Sequence, residues 1–125
     1  MSAILARKMH RRAFRRGVFV SCEVVREHDF RRIARVGIDL STEGMLVKAD
    51  RGVLTGEELF VAFRAPYGRW FDVRATVARV IHGRRPGDVG PCLGLEFFDH
   101  DDEWKSALFE HIRGWPGRPP SRIAA

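Results

Sequence analysis

Cysteine is scarce in this 125-residue chain, tyrosine occurs once, and no apolar run approaches the roughly 18–20 residues of a membrane-spanning helix. Cys22 and Cys92 lie far apart, with no second pair at metal-ligand spacing. That speaks against a disulfide scaffold or a zinc site and fits reduced thiols in a reducing compartment. The N-terminus lacks the uninterrupted apolar core of a secretory signal, so a cytoplasmic location is expected, without membrane insertion. The Arg-rich start resembles a mitochondrial transit peptide, yet it leads almost directly into strand-like sequence with little removable leader. One length of chain lacks acidic residues altogether: residues 1–16 hold six of the 22 basic side chains (Arg7, Lys8, Arg11, Arg12, Arg15 and Arg16) and none of the 16 acidic ones. The other 109 residues carry sixteen of each sign, so the net charge of +6 belongs to this arm. Localised positive charge calls for an anionic partner: a nucleotide, a nucleic acid or an anionic membrane.

A length of 125 residues leads to the expectation of one domain without room for a second, and an apolar fraction of 45%, with nine Phe and three Trp, supplies its core. Val18–Val25, Arg32–Leu40, Met45–Val47, Glu58–Phe63, Phe71–Ile81 and Leu93–Phe98 read as strands. They are separated by turn formers at 27–30, at 39–44 and around Pro66 and Gly68, and by a Gly/Pro-rich loop over 82–91. Six closely spaced strands predict an antiparallel sheet or barrel, because parallel pairing needs crossover helices. One helix is expected over Asp101–Arg113, with Trp104, Leu108 and Ile112 at helical spacing and Trp115 just beyond. Asp101, Asp102 and Glu103 suit its positive end, Gly114 and Pro116 stop it, and it should cap the barrel. The expected organisation is a basic arm (1–16), a barrel with its helix (17–115) and a disordered Pro/Arg/Gly-rich tail (116–125).

Two constellations carry chemistry. In Arg11-Arg12-Ala13-Phe14-Arg15-Arg16, arginine pairs recur at R-x-x-x-R spacing in two registers, Arg11/Arg15 and Arg12/Arg16. A guanidinium pairs bidentately with phosphate, reads the O6/N7 edge of guanine and stacks on a base, so two of them can grip a guanine nucleotide. Most basic runs are merely solvated or bind polyanions without specificity. In the corner Asp39-x-Ser41-x-x-Gly44, Asp39 can accept from guanine N1 and N2, Ser41 can donate to phosphate, and Gly44 permits close backbone approach or positive φ. The commoner use of such residues is a turn that stabilises its own backbone.

Catalytic candidates are poor. The cluster Asp99–Glu103 with His100 resembles metal-ligand material but precedes a helix, where N-capping explains it better. Ser41 sits in no G-x-S-x-G elbow, His82 has no evident partner, and His28 and His111 suit surface or packing roles. No enzyme, cofactor or metal is expected.

Taken in order, the R-x-x-x-R arm, a strand pair ending in D-x-S-x-x-G, further strands with Gly94-Leu95-Glu96-Phe97, and a C-terminal helix resemble the PilZ domain family over about residues 10–115. The resemblance implies a six-stranded antiparallel β-barrel with a flexible N-terminal arm and a C-terminal helix, in a bacterial second-messenger receptor. Its ligand would be cyclic di-GMP, bound on the outer surface and signalling through the changed arm to a downstream protein. Arg11 and Arg15 would clamp the ligand, with Arg12 and Arg16 as the shifted register, and Asp39, Ser41 and Gly44 would line the other side. Two alternatives stand beside this. One is a small basic barrel that binds RNA or single-stranded DNA, with Phe14, Tyr67 and Trp70 stacking bases, although no continuous basic track extends beyond the arm and the loop around Arg84 and Arg85. The other is a ligand-independent interaction adaptor.

Overall fold

The computed structural model describes residues 16–82 and 91–117. Arg11, Arg12, Arg15, Phe14 and most of the expected tail lie outside them. Six strands follow in order: β1 (Arg16–Arg26), β2 (Arg32–Leu40), β3 (Gly44–Lys48), β4 (Glu58–Arg64), β5 (Trp70–Ile81) and β6 (Cys92–Phe98). Among the described residues one α-helix, α1 (Asp102–Gly114), follows β6. Alternation along β1 sets the pattern: Val18, Val20, Cys22 and Val24 are buried, while Phe19, Ser21 and Glu23 are exposed, as a strand with one face in a core requires.

All pairings are antiparallel, and the sheet closes on itself in the order β1-β2-β3-β6-β5-β4. Closure removes the sheet edges that would otherwise template aggregation. It rests on two long-range ladders, Gly44–Lys48 of β3 against Cys92–Glu96 of β6 and Ser21–Arg26 of β1 against Leu59–Arg64 of β4. The six-stranded barrel with its C-terminal helix is therefore the architecture expected from the sequence. Arg16, placed in the arm by its charge, is the first residue of β1.

Leu108, Ile112 and Trp115 join the same buried cluster as the barrel interior. Trp104 packs edge-on against Phe63, Phe71 and Phe97 from three strands. Asp101 caps the helix, its Oδ1 accepting from the Trp104 amide at 2.8 Å, so the acidic cluster there has the capping role its position suggested. Among the described residues no group of three or more His, Cys, Asp or Glu side chains could hold a metal ion, and no helix is long and apolar enough to cross a membrane. Cys22 is buried, and burial pushes its thiol up to about 12, so the reactive thiolate is absent at neutral pH.

Next to the helix start, the His100 ring packs against Trp104 at a centroid distance of 5.2 Å, and its side chain is 8% exposed. Burial, helped by the nearby Lys105 ammonium, lowers its pKa, against the weaker pull of Glu43. The native state thus favours neutral imidazole, and the unfolded chain takes up the proton first as pH falls. Stability should be complete above the unfolded histidine value of roughly 6.5 and decline below it, down to the lowered native value. Melting curves between neutral and mildly acid pH should show this loss in the wild type and a smaller one in His100→Leu. Parallel curves for the two proteins would remove His100 as the cause.

Candidate functional site

The corner at 39–44 is set by the strands that flank it. Leu40 and Met45 pair across β2 and β3 and are both fully buried, so the next pair, Asp39 and Leu46, points outward. The same row continues through Gly94 on β6 to Arg79 on β5, and on the other side through Gly17 on β1. Gly17, Asp39, Leu46, Gly94 and Arg79 thus form one line across five strands on the outer surface. The two glycines leave shallow gaps on either side of Asp39 and Leu46. Arg79 fills part of one: its side chain lies flat over Gly94, where a Cβ would stand 2.8 Å from Arg79 Cγ. A register shift between Val77 and Arg79 brings Arg79 opposite Gly94. No sequence motif singles out Arg79; the long-range register of β5 on β6 brings it to the row.

Ser41 is buried, and its hydroxyl accepts from the backbone N–H of Glu43 at 3.1 Å and of Gly44 at 3.2 Å. The hydroxyl proton is directed at the Gly44 carbonyl, 3.3 Å away. The Ser41 amide donates to that carbonyl as well. Ser41 therefore builds the turn, the commoner role for serine at a strand junction. Ser41→Ala would leave buried N–H groups unsatisfied, at about 1–3 kcal/mol. The expected result is a melting temperature several degrees lower, measured by calorimetry, with the fold retained; an unchanged melting temperature would contradict this role.

Gly44 does not have positive φ. Its need is space: a Cβ there would lie 2.1 Å from the Leu95 carbonyl oxygen, because β6 runs directly against the corner. Glu43 ties the corner to the helix. Its carboxylate meets Lys105 Nζ at 3.1 Å, and its carbonyl accepts from the Phe97 amide at 2.8 Å. The corner is thus a rigid part of the barrel, fixed from three directions.

The β1–β2 register joins the arm to this corner. Arg16 pairs with Leu40 and Gly17 with Asp39, so the chain enters β1 beside the D-x-S-x-x-G turn. Arg16 itself shares the side of buried Leu40; a guanidinium nitrogen lies 3.5 Å from the Cβ position of Gly117, just past the helix, and its Nε is buried. Of the seven residues singled out in the sequence, the structure brings Asp39, Ser41 and Gly44 into one corner. It turns Arg16 away from them, and Arg11, Arg12 and Arg15 lie outside the described residues.

The family model described as PilZ domain matches residues 10–114. Several solved structures have the same fold. An inhibitor of motility from Bacillus subtilis (MotI/DgrA) superposes with a TM-score of 0.65 at 21% identity over 82% of this chain and 49% of its own. YcgR from Escherichia coli in complex with c-di-GMP gives 0.68 at 18% identity, over 82% and 44%. The PilZ domain of YcgR with c-di-GMP gives 0.64 at 17% identity, over 82% and 92%. This chain therefore spans about half the length of the first two proteins and nearly the whole of the isolated domain. No curated protein sequence matches.

Proposed function

This chain belongs to the PilZ domain family, and from that premise we propose that it is a bacterial, cytoplasmic, non-catalytic receptor for cyclic di-GMP. In this reading the arm closes over a ligand held against the row Gly17–Asp39–Leu46–Gly94–Arg79. The observation that carries it is the pairing of Gly17 with Asp39 and of Arg16 with Leu40, which starts the arm at the edge of the D-x-S-x-x-G corner. Two of the structural neighbours hold c-di-GMP, which supports the same ligand class here.

The residues take distinct roles. Asp39 points outward, where a carboxylate can accept from the N1 and N2 donors of guanine. Ser41 and Gly44 act by shape, since the Ser41 hydroxyl is engaged in the turn and Gly44 admits the β6 backbone. Between the two arginine registers the geometry favours Arg11/Arg15, because Arg16 faces Gly117 on the Leu40 side. Arg79 adds a third cation on the far side of Leu46, placed to stack on a base or meet a phosphate. Neutralising the arm's repulsion with two phosphates orders it, and the new surface signals to a downstream protein.

Titration calorimetry with cyclic di-GMP, cyclic di-AMP and GTP tests the proposal. Adenine reverses the donor and acceptor pattern read by Arg and Asp, so discrimination of at least about 1–3 kcal/mol per readout is expected. Equal heats from both cyclic dinucleotides would remove guanine reading. Tight binding of a short RNA, with a salt slope near −4 for about six engaged cations and no cyclic dinucleotide heat, would establish the nucleic-acid alternative instead.

A further inference from the structure

The barrel has a second conspicuous outer face, on β1, β4 and β5, away from the D-x-S-x-x-G corner. Cross-strand pairing sets Val25, Phe60 and Arg74 in one row and Glu23, Ala62 and Asp72 in the next. Between them lies an open groove of about 660 Å³, with Asp99 on its rim. Arg74 is the groove's cation, and it is already committed. Its guanidinium meets Glu27 at 3.0 Å, Glu58 at 3.4 Å and Asp99 at 3.3 Å, and it lies over the Phe98 ring at 4.9 Å. Asp72 has no ion pair among the described residues. Glu23 has Arg32 3.8 Å away at the edge of the face, and the groove's own lining sets Glu23, Asp72 and Asp99 against the single cation Arg74, an acidic balance in a chain of net charge +6.

It is also apolar where water would be expected to win. Phe30 is 73% exposed, yet its ring stacks on Phe60, itself exposed, with centroids 6.2 Å apart and planes 6° apart. The β1–β2 turn holds Phe30 at φ 55, the left-handed region where glycine or asparagine is the natural choice. The turn is fixed by the Phe30 amide on the Arg26 carbonyl at 2.8 Å and the Arg31 amide on Asp29 Oδ1 at 3.1 Å. Asp99, at φ 58, is the other non-glycine residue with positive φ among the described residues. Both border this face. Backbone outliers that persist at an exposed aromatic point to use rather than stability.

We propose that this face docks a partner protein through a segment that presents Lys or Arg beside an apolar anchor. The anchor would lie on Val25 and Ala62 beside the stacked Phe30 and Phe60 rings, and the cations would reach Asp72, which has no ion pair among the described residues, and the exposed Phe30 ring. The sign of the face repels nucleic acid, phosphate groups and anionic lipid, and it steers a basic segment inward. The assignment goes beyond nucleotide binding and does not depend on it, since no residue of the row around Asp39 contributes.

A displayed library of random peptides, selected on the full chain with Phe30→Gly as counter-selection, tests this. Phe30→Gly removes the ring and relieves the left-handed backbone, so its melting temperature should stay within about 2 °C of the wild type. Asp72→Lys, an exposed substitution, provides a second variant that keeps Phe30. The expected result is enrichment of Lys/Arg-rich sequences with one or two apolar residues. By fluorescence anisotropy the best of these should lose at least about tenfold in affinity, roughly 1.4 kcal/mol, in each variant. No enrichment, enrichment without basic bias, or equal affinity for the wild type and both variants would overturn the proposal. So would strong binding of a peptide of residues 1–16 in preference to the selected sequences, which would make the chain's own arm the occupant.

Discussion

Gly44→Ala is expected to destabilise the barrel by about 3–5 kcal/mol, against a net stability of about 5–15 kcal/mol for a domain. The new Cβ would sit 2.1 Å from the Leu95 carbonyl oxygen and 3.2 Å from its carbon. These are backbone atoms, so no side chain can swing away. The five-residue ladder between β3 and β6 must part, and that ladder is one of the two seams that close the barrel. Overpacking alone costs typically 1–3 kcal/mol, and each ladder hydrogen bond lost adds about 1 kcal/mol. Denaturant melts should show a large drop in the midpoint, and ligand binding should fall with it because the corner moves. An alanine variant with wild-type stability would mean that β6 does not run against the corner.

Much of this fold was legible in the sequence because its signals are local. Alternation marks β1 through Val18, Val20, Cys22 and Val24, and spacing of four residues marks α1 through Trp104, Leu108 and Ile112. Asp101 as a cap and Gly114 as a stop fix the ends of the helix to within one residue of those expected. The strands were each found, with ends extended by a residue or two where pairing partners, rather than propensity, decide the boundary. The site was legible only as a set of residue types. The sequence names Gly44 without saying that Leu95 is its reason, because that contact spans half the chain. It offers Ser41 as a donor, whereas three backbone groups of its own turn already occupy the hydroxyl. Arg79 carries no signal at all until β5 and β6 are paired with their register shift. Phe30 looks like an ordinary turn residue until its φ is known.

Arg15→Ala should cost at least about 2 kcal/mol of cyclic di-GMP binding, roughly thirtyfold in affinity, with the melting temperature nearly unchanged. By sequence the arm is dense in like charge and poor in apolar residues, so a single arginine there is expected to carry little core packing. Charge-assisted hydrogen bonds of about 1.5–3 kcal/mol each are what offset the entropy of ordering such a segment. Removing Arg11 as well should abolish measurable binding, whereas Arg16→Ala should have a smaller effect on affinity, since that side chain lies against Gly117. Asp39→Ala should weaken binding too, through the corner rather than the arm. Calorimetric titration of the four variants, with melts alongside, separates these cases. Normal binding by Arg15→Ala, or a larger loss in Arg16→Ala, would reverse the assigned register.

The most direct test of a receptor built from a basic arm and a fixed corner is hydrogen exchange of the full chain with and without saturating cyclic di-GMP. Without ligand, amides 7–15 should exchange fast, because like charge and few apolar groups give the arm little to pack on, while Ser41, Gly44 and their ladder neighbours should be slow. With ligand, protection should appear in residues 7–15 and rise at 37–47 and 93–95, and nowhere else to a comparable degree. An arm already protected in the free protein, or ligand-induced protection confined to the Phe30 and Phe60 face, would contradict the account.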